Sequence, residues 1–402
     1  MINIVISYMF DILNYSMPKE KPMLNFTITN TICDIPKEKW DELFGEDLIE
    51  SYGYHKTLEE SDLEEFSIRY LLAKRDHNIV AIVPFFTMDF SFTTLVHGPL
   101  QKVIYWVRKF FKRFLKIKLF FIGAPTTEYL YLGISKNENL GQLFDEILKK
   151  LNEFRRQQKI NTLIAYNLTP EHKELADYFT KKGFTLMENF PNARIEINAH
   201  SANEYINGLG KSTRKDVRRK IRKSYSAATL HTELYDNMES NIADIYKLYL
   251  NNFNESDIHF EILTPKYFTN LCRNMPGLIK CFVTKENNRI VAFNLCMVKN
   301  NFCIDKFLGL DYEVAYKYNL YYTTFYHNID WCIANGIRFY QPGQGDYDAK
   351  IRLGAKLTPL SIYIKTTNTV LNLFLKAIIK LIEPKNSDPA LKNLKKYGAP
   401  RA

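Results

Sequence analysis

The 402-residue sequence predicts an α/β protein in which two tandem lobes each carry a mixed sheet, an α+β arrangement. Three observations carry this expectation. The length exceeds one ordinary core and suits two domains of about 150 to 200 residues. The composition, 46% hydrophobic and 24% charged, is that of a globular chain able to fill two cores. The order of strand and helix patterns in the first half also recurs in the second.

The first lobe opens on a hairpin. Ile68 to Ala73 and Ile79 to Phe86 are β-rich runs joined by Arg75-Asp76-His77-Asn78, a polar cluster suited to a turn. A basic helical stretch precedes a strand over 119–123. Leu140, Leu143, Phe144, Ile147, Leu148, Leu151 and Phe154 then recur at helical spacing and predict a helix reaching Gln158. A strand over 162–166, a helix opened by Thr169-Pro170 and closed at Gly183, and a strand from Phe184 complete the order β-β-β-α-β-α-β.

Ser201-Ala202-Asn203-Glu204 has the spacing of a capping box, so a new helix opens the second lobe and the boundary falls near Ala199. Runs over 278–284, 290–298 and 302–308, separated by Asn-rich turns, predict a three-stranded antiparallel meander. A helix from about Asn319 to Ala334 ends at Asn335-Gly336, and strands over 337–340 and 359–365 close the lobe. The expected divisions are an extension over 1–22, a first lobe over 23–198, a second lobe over 199–366 carrying the active site, and an amphipathic helix with a flexible tail over 367–402.

A net charge of +10 calls for a polyanionic neighbour, whether nucleotide, tRNA or anionic membrane. The densest basic stretch, Lys211 to Lys223, holds eight Lys/Arg against one Asp and reads as a phosphate-contacting helix that includes Arg218 and Arg219. In the insert 101–118, Val103, Trp106, Val107, Phe110, Phe111, Phe114 and Leu115 share one helical stripe with Lys/Arg off it. That pattern suits an interfacial helix on an anionic membrane and, equally, a helix docked on the first lobe. Val370 to Ile382 is a weaker stretch of the same kind. The six cysteines form no C-x-x-C pair, and neither they nor the eight histidines show metal-ligand spacing, so no metal is expected. Without a secretion signal or a run of about 18 apolar residues, a cytoplasmic protein is expected, soluble or peripheral on the inner face of the membrane.

Chemistry is densest in the loop Gln341-Pro342-Gly343-Gln344-Gly345-Asp346-Tyr347-Asp348 and on through Lys350 and Arg352. Two glycines let backbone approach a ligand beside carboxylates, a phenol and cations. A second feature is the strand-to-helix passage from Asp305 and Lys306 through Gly309 to Asn319 and Tyr322. There, a helix N-terminus suits a pyrophosphate or carboxylate, and Tyr312, Tyr316, Tyr318, Tyr321 and Tyr322 offer the walls of a pocket.

With the strand order, the basic segment after Glu204 and the runs Tyr340 to Gly345 and Lys350 to Lys356, residues 30–366 resemble the FemAB-related, BioF2-like branch of the Gcn5-related N-acetyltransferase superfamily. The resemblance implies twin acetyltransferase-like lobes. It implies an N-acyltransferase moving an acyl group from acyl-CoA, acetyl-CoA included, to an amine of a sugar, peptide or lipid-linked precursor. The alternatives are aminoacyl-tRNA-dependent transfer in cell-envelope peptide synthesis and a non-catalytic membrane or nucleic-acid adaptor on the same fold. For transfer, Asp346 is expected to take the amine proton, Tyr347 or Tyr322 to protonate the leaving group, and Lys306 to face the developing negative charge. Lys350 and Arg352 are expected as clamps, with Gln344, Gly345, Gly309 and Asn319 beside the ligand.

Overall fold

A computed structural model describes residues 23–91, 116–226, 229–255, 262–367, 372, 379 and 383–392. The first lobe runs β1 (Leu24–Thr29), α1 (Lys37–Phe44), α2 (Tyr52–Glu60), β2 (Phe66–Arg75), β3 (Asn78–Ser91), β4 (Lys116–Ile122), β5 (Gly133–Ile134), α3 (Leu140–Gln157), β6 (Thr162–Leu168), α4 (Lys173–Lys181) and β7 (Thr185–Glu196). The hairpin β2–β3 closes where Asp76 takes a positive φ of 53°, a conformation its short polar side chain tolerates. Burial of Leu143, Phe144, Ile147, Leu148 and Leu151 confirms the stripe that α3 lays on the sheet.

The second lobe runs α5 (Ala202–Gly208), α6 (Lys211–Tyr225), β8 (Leu230–Tyr235), α7 (Ile242–Glu255), α8 (Pro265–Asn274), β9 (Ile279–Glu286), β10 (Arg289–Lys299), β11 (Phe302–Leu310), α9 (Tyr312–Tyr318), α10 (Leu320–Ala334), β12 (Phe339–Gly343), α11 (Tyr347–Arg352) and β13 (Lys356–Thr366). Ser201 accepts from the backbone N–H of Glu204, and the Glu204 carboxylate accepts from the N–H of His200. The serine cap therefore forms, while the carboxylate reaches one residue further back than a capping box would place it.

Among the described residues thirteen strands form one mixed sheet, in the order β1-β2-β3-β4-β6-β13-β7-β12-β11-β10-β9-β8, with β5 on β3. β4 runs parallel to β6, and β11 runs parallel to β12. These are the equivalent positions of the two lobes. The last strand of each lobe crosses over: β13 lies between β6 and β7, and β7 pairs with β12. The boundary expected near Ala199 falls shortly after the end of β7 at Glu196, and the sheet runs on across it. A shared core binds the lobes further, since Tyr54 and Leu58 of α2 pack with Tyr267, Phe268 and Leu271 of α8.

Residues 116–118, expected at the end of a basic helix, open β4, where Lys118 stands opposite Asp89. The remainder of that insert, the extension over 1–22 and most of 367–402 lie outside the described residues. Within the expected flexible tail, α12 (Pro384–Ser387) and α13 (Pro389–Lys392) are helical turns, and Ala390 and Leu391 pack on Tyr347. No helix among the described residues is long and apolar enough to cross a membrane.

Candidate active site

β11 and β12 pair only from Phe302↔Phe339 to Ile304↔Gln341. Beyond that point β12 follows β7, reaching Ala193 at Gly343, and the two strands diverge. A cavity of about 340 Å³ opens between them, walled by residues 305–308 of β11, the 342–346 loop, Lys350, and Tyr249, Asn252 and Phe253 of α7. β11 carries a bulge there. Leu295 stands opposite Phe307 and Cys296 opposite Asp305, leaving Lys306 as the extra residue. Asp305 keeps the regular alternation on the side of Cys303 and Cys296, whereas the bulge sets Lys306 on the same side as Phe307, over Tyr54 in the core shared by the lobes. The cavity opens at the point of divergence and is reached from both sides.

Asp305 is the central group. Its Oδ2 accepts from the Tyr340 hydroxyl (2.6 Å), Asn294 Nδ2 (2.8 Å) and Asn328 Nδ2 (3.2 Å). Its Oδ1 is buried without a hydrogen-bond partner. Burial raises the carboxyl to about 6, against the pull of Tyr340, Asn294 and the nearby Lys350 charge. Lys350, 6% exposed, donates from Nζ to the carbonyls of Gln344 (2.7 Å) and Gly343 (3.3 Å). Burial lowers it to about 8, with Asp346, Asp305 and Glu128 opposing. A carboxylate and an ammonium, both shifted toward neutrality, thus share one wall.

Lys306 lines the same cavity, but its charge is committed. Nζ bonds Glu50 (2.6 Å), Glu128 (2.8 Å) and the Thr126 carbonyl (2.5 Å), all from the first lobe. Gln341 donates to the other oxygen of Glu128 (2.8 Å) and accepts from Tyr129 (2.6 Å), so the network ties β11 and β12 to the 124–131 loop. Lys306 is therefore a clamp between lobes, which corrects its expected role toward a developing negative charge. Glu50 is wholly buried, and burial carries its carboxyl to about 7 in spite of Lys306.

Asp346 lies at the cavity mouth, held at φ 45° as α11 begins, and Gln344 lines the wall with its amide on the Phe190 carbonyl (2.9 Å). Gly345 has φ 77° and completes the turn between them. Tyr347 is corrected: it is buried, its hydroxyl donates to the Pro191 carbonyl (2.8 Å), and its ring rests on Ala390 and Leu391. Gly309 is corrected too. A Cβ there would sit 2.2 Å from Phe293 and 2.9 Å from the Leu248 backbone, so the glycine lets α7 close on β11. Arg352 lies outside the cavity between Asp216 and Asp348, each 3.8 Å away. Arg218 bonds Asn207 and Arg219 bonds Asp216 (2.8 Å) on the exposed face of α6.

The cavity continues through Asn252, Leu308, Tyr321 and Asp346 into a groove of about 350 Å³. Asn319, in the left-handed region at φ 55°, lines it with Tyr312, Tyr316, Tyr321 and Tyr322. Lys220 of α6 lies on the Tyr322 ring, 3.6 Å from its centre. Tyr318, expected in this wall, does not line the groove and packs on the apolar cluster built around Val291, Ala292, Leu310 and Leu320.

Sequence reasoning missed Asp305 as a site residue, although a carboxylate inside the apolar run Phe302-Cys303-Ile304 was a readable signal. Its partners come from three other elements: Tyr340 entered only through the run Tyr340 to Gly345, and Asn294 and Asn328 gave no signal.

The fold has relatives among solved structures. FemX matches with a TM-score of 0.54 at 10% identity, covering 87% of this chain and 99% of its own. A tandem GNAT protein from the clavulanic acid biosynthesis pathway matches at 0.54 and 9% identity, covering 86% and 99%. No curated protein matches the chain in sequence. The FemAB-like family, described as peptidoglycan biosynthesis and recognition, matches residues 31–366, and the chain belongs to that family.

Proposed function

We propose that the protein is an N-acyltransferase. It moves an acyl group from an activated donor to an amine of a peptidoglycan-type or lipid-linked acceptor, in the cavity between β11 and β12. One observation carries the reading: a buried carboxylate oxygen without a partner, Asp305 Oδ1, on a cavity wall beside the buried Lys350 ammonium. Family membership and the tandem acetyltransferase-like fold support the transferase class.

The chemistry follows from these groups. The acceptor nitrogen attacks the acyl carbonyl, a C–N bond forms, and the nitrogen's proton passes to Asp305 Oδ1. With a carboxyl near 6, Asp305 is mostly ionised at neutral pH and can still release the proton afterwards. Collapse of the tetrahedral intermediate breaks the C–S or C–O bond of the donor. Lys350, near 8, matches a departing thiolate and supplies its proton. Tyr340, Asn294 and Asn328 hold the carboxylate in place, and the cavity holds the two reactants together.

An acyl-CoA is the first donor reading, its acyl end at Asp305 and the remainder along the groove past Tyr321, Tyr322 and Lys220. An aminoacyl-tRNA is the second, favoured by the exposed cations of α6 beside that groove, Lys211, Lys215, Arg218, Arg219, Arg222 and Lys223. Thermal shifts of the purified chain with acetyl-CoA, longer acyl-CoAs, free CoA and mixed tRNA decide between them, because a ligand of the native state alone raises the midpoint. A shift with CoA esters only supports the first reading, and a shift with tRNA only supports the second. Silence from every donor argues against the transferase.

A further inference from the structure

A second cavity, of about 390 Å³, lies between the C-terminal half of α3, the start of β6 and the end of β13. Lys149, Arg155, Arg156 and Lys365 line it. Arg155 is 4% exposed. Its Nε and one Nη bond Asn152 Oδ1 (3.2 and 2.9 Å), and the other Nη bonds the Ile160 carbonyl (2.7 Å). These contacts use three of five guanidinium N–H groups, and every acceptor is neutral. Lys365 donates to the Lys182 carbonyl (2.6 Å). The one carboxylate on the wall, Glu153, is taken by Lys150 (2.9 Å). Among the described residues no carboxylate pairs with any of the four cations.

A structural role accounts for part of this, since cations suit the last turn of a helix, where Arg155 and Arg156 stand. It does not account for Lys149, or for Lys365 of β13, which together raise the cations on the same cavity to four. Burial and the neighbouring Arg156 depress Arg155, while burial, Lys182 and Arg155 depress Lys365. Arg155 is thus a buried cation whose acceptors are all neutral, with further cations beside it, an arrangement that is costly unless an anion joins it.

The location says where such an anion comes from. Thr162 of β6 stands beside Leu119 of β4 and Thr366 of β13, and Ser91 of β3 stands opposite Lys116. The chain therefore leaves and re-enters the sheet at this end on both sides of segment 92–115, and leaves it again after Thr367. Those two segments carry the apolar, basic stretches 103–115 and 370–382 in sequence. The transfer cavity adjoins the opposite end of β13, about 30 Å away at strand rise.

We infer that the cavity lined by Lys149, Arg155, Arg156 and Lys365 binds the phosphate of an anionic lipid headgroup and seats this end of the first lobe on a membrane surface. The inference goes beyond the transfer reading and does not rest on it.

The test is sedimentation of the full chain with phosphatidylcholine vesicles, with and without phosphatidylglycerol, for the wild type and for Lys149→Gln/Lys365→Gln. Both substituted residues are exposed, and far-ultraviolet circular dichroism checks the fold. The wild type is expected to pellet only with the anionic vesicles and to be released by salt. The variant is expected to lose about fivefold in partitioning for each cation removed. Undiminished pelleting of the variant would overturn the assignment to this cavity. A thermal shift with inorganic phosphate that the variant loses, without vesicle binding, would overturn the lipid source in favour of a free anion. Absence of both effects would overturn the site altogether.

Discussion

Replacing Asp305 by Asn separates the catalytic reading from a structural one, because the two properties are expected to move in opposite directions. The amide is nearly isosteric. Its oxygen can accept from Tyr340, Asn294 and Asn328, and its NH₂ takes the place of the unpartnered Oδ1. In the native protein the carboxyl is raised from 3.8 to about 6, chiefly by burial. That shift of roughly 2 units, at 1.36 kcal/mol each, means that keeping the charge buried costs about 3 kcal/mol once both states are ionised. The sign follows from the raised folded value. Asp305 is without penalty below about pH 4, and its penalty grows as pH rises through 6. At pH 8 the variant is thus expected to melt higher, by about 4 °C if all 402 residues unfold together at the usual entropy per residue. The gain should vanish near pH 4. Transfer should fall by about 10² to 10⁴, the usual worth of a positioned base. Calorimetry at both pH values and a transfer assay read the two effects. A variant that transfers at the wild-type rate, or that melts lower at pH 8, refutes the reasoning.

Four further outcomes are expected. The transfer rate should follow a bell, rising as Asp305 loses its proton near pH 6 and falling as Lys350 loses its own near 8, and Lys350→Met should be slow throughout with no alkaline limb. Lys306→Met strands Glu50 and Glu128 in the lobe interface and should cost about 3 to 5 kcal/mol in a denaturant titration, less below pH 7 where Glu50 takes a proton. An unchanged midpoint would remove the clamp. Tyr347→Phe loses one hydrogen bond to Pro191 and should cost about 1 kcal/mol while leaving the transfer rate intact. Gly309→Ala forces a Cβ against Phe293 and should cost about 1 to 3 kcal/mol in thermal unfolding, reflecting packing between α7 and β11.

The meander and hairpin were legible because their turns need residues that tolerate positive φ, and Asp76, Asn287, Asn288 and Asn300 supply it at 53°, 48°, 68° and 53°. α3 was legible from its apolar stripe. α1 was not, since Lys37-Glu38-Lys39-Trp40-Asp41-Glu42-Leu43-Phe44 offers three apolar residues in two turns, although Trp40 is wholly buried by tertiary packing. The crossing of β7 and β13 was hidden because strand order depends on pairings about 170 residues apart, such as Leu357 with Ala193. Of the loop 341–352 singled out in the sequence, Gln344 and Lys350 line the cavity wall. Tyr347 could not be told from a free phenol without its contact to Pro191, nor Lys306 from a free ammonium without Glu50 and Glu128, some 180 and more residues upstream. Asp305 continues the alternation of Cys303 on its side of the sheet, and what makes it a site residue is the set of partners Asn294, Asn328 and Tyr340 brought from other elements, which the local sequence does not show.

The most direct test of the account is amide formation itself. Purified full-length protein would be supplied with a labelled acyl-CoA or a labelled aminoacyl-tRNA and a peptidoglycan stem peptide bearing a free amine, alongside the Asp305→Asn and Lys350→Met variants. Labelled amide from one donor with the wild type, and its loss in both folded variants, is the expected result. Amide formed equally by all three proteins would place the chemistry elsewhere and contradict the assignment of the β11–β12 cavity.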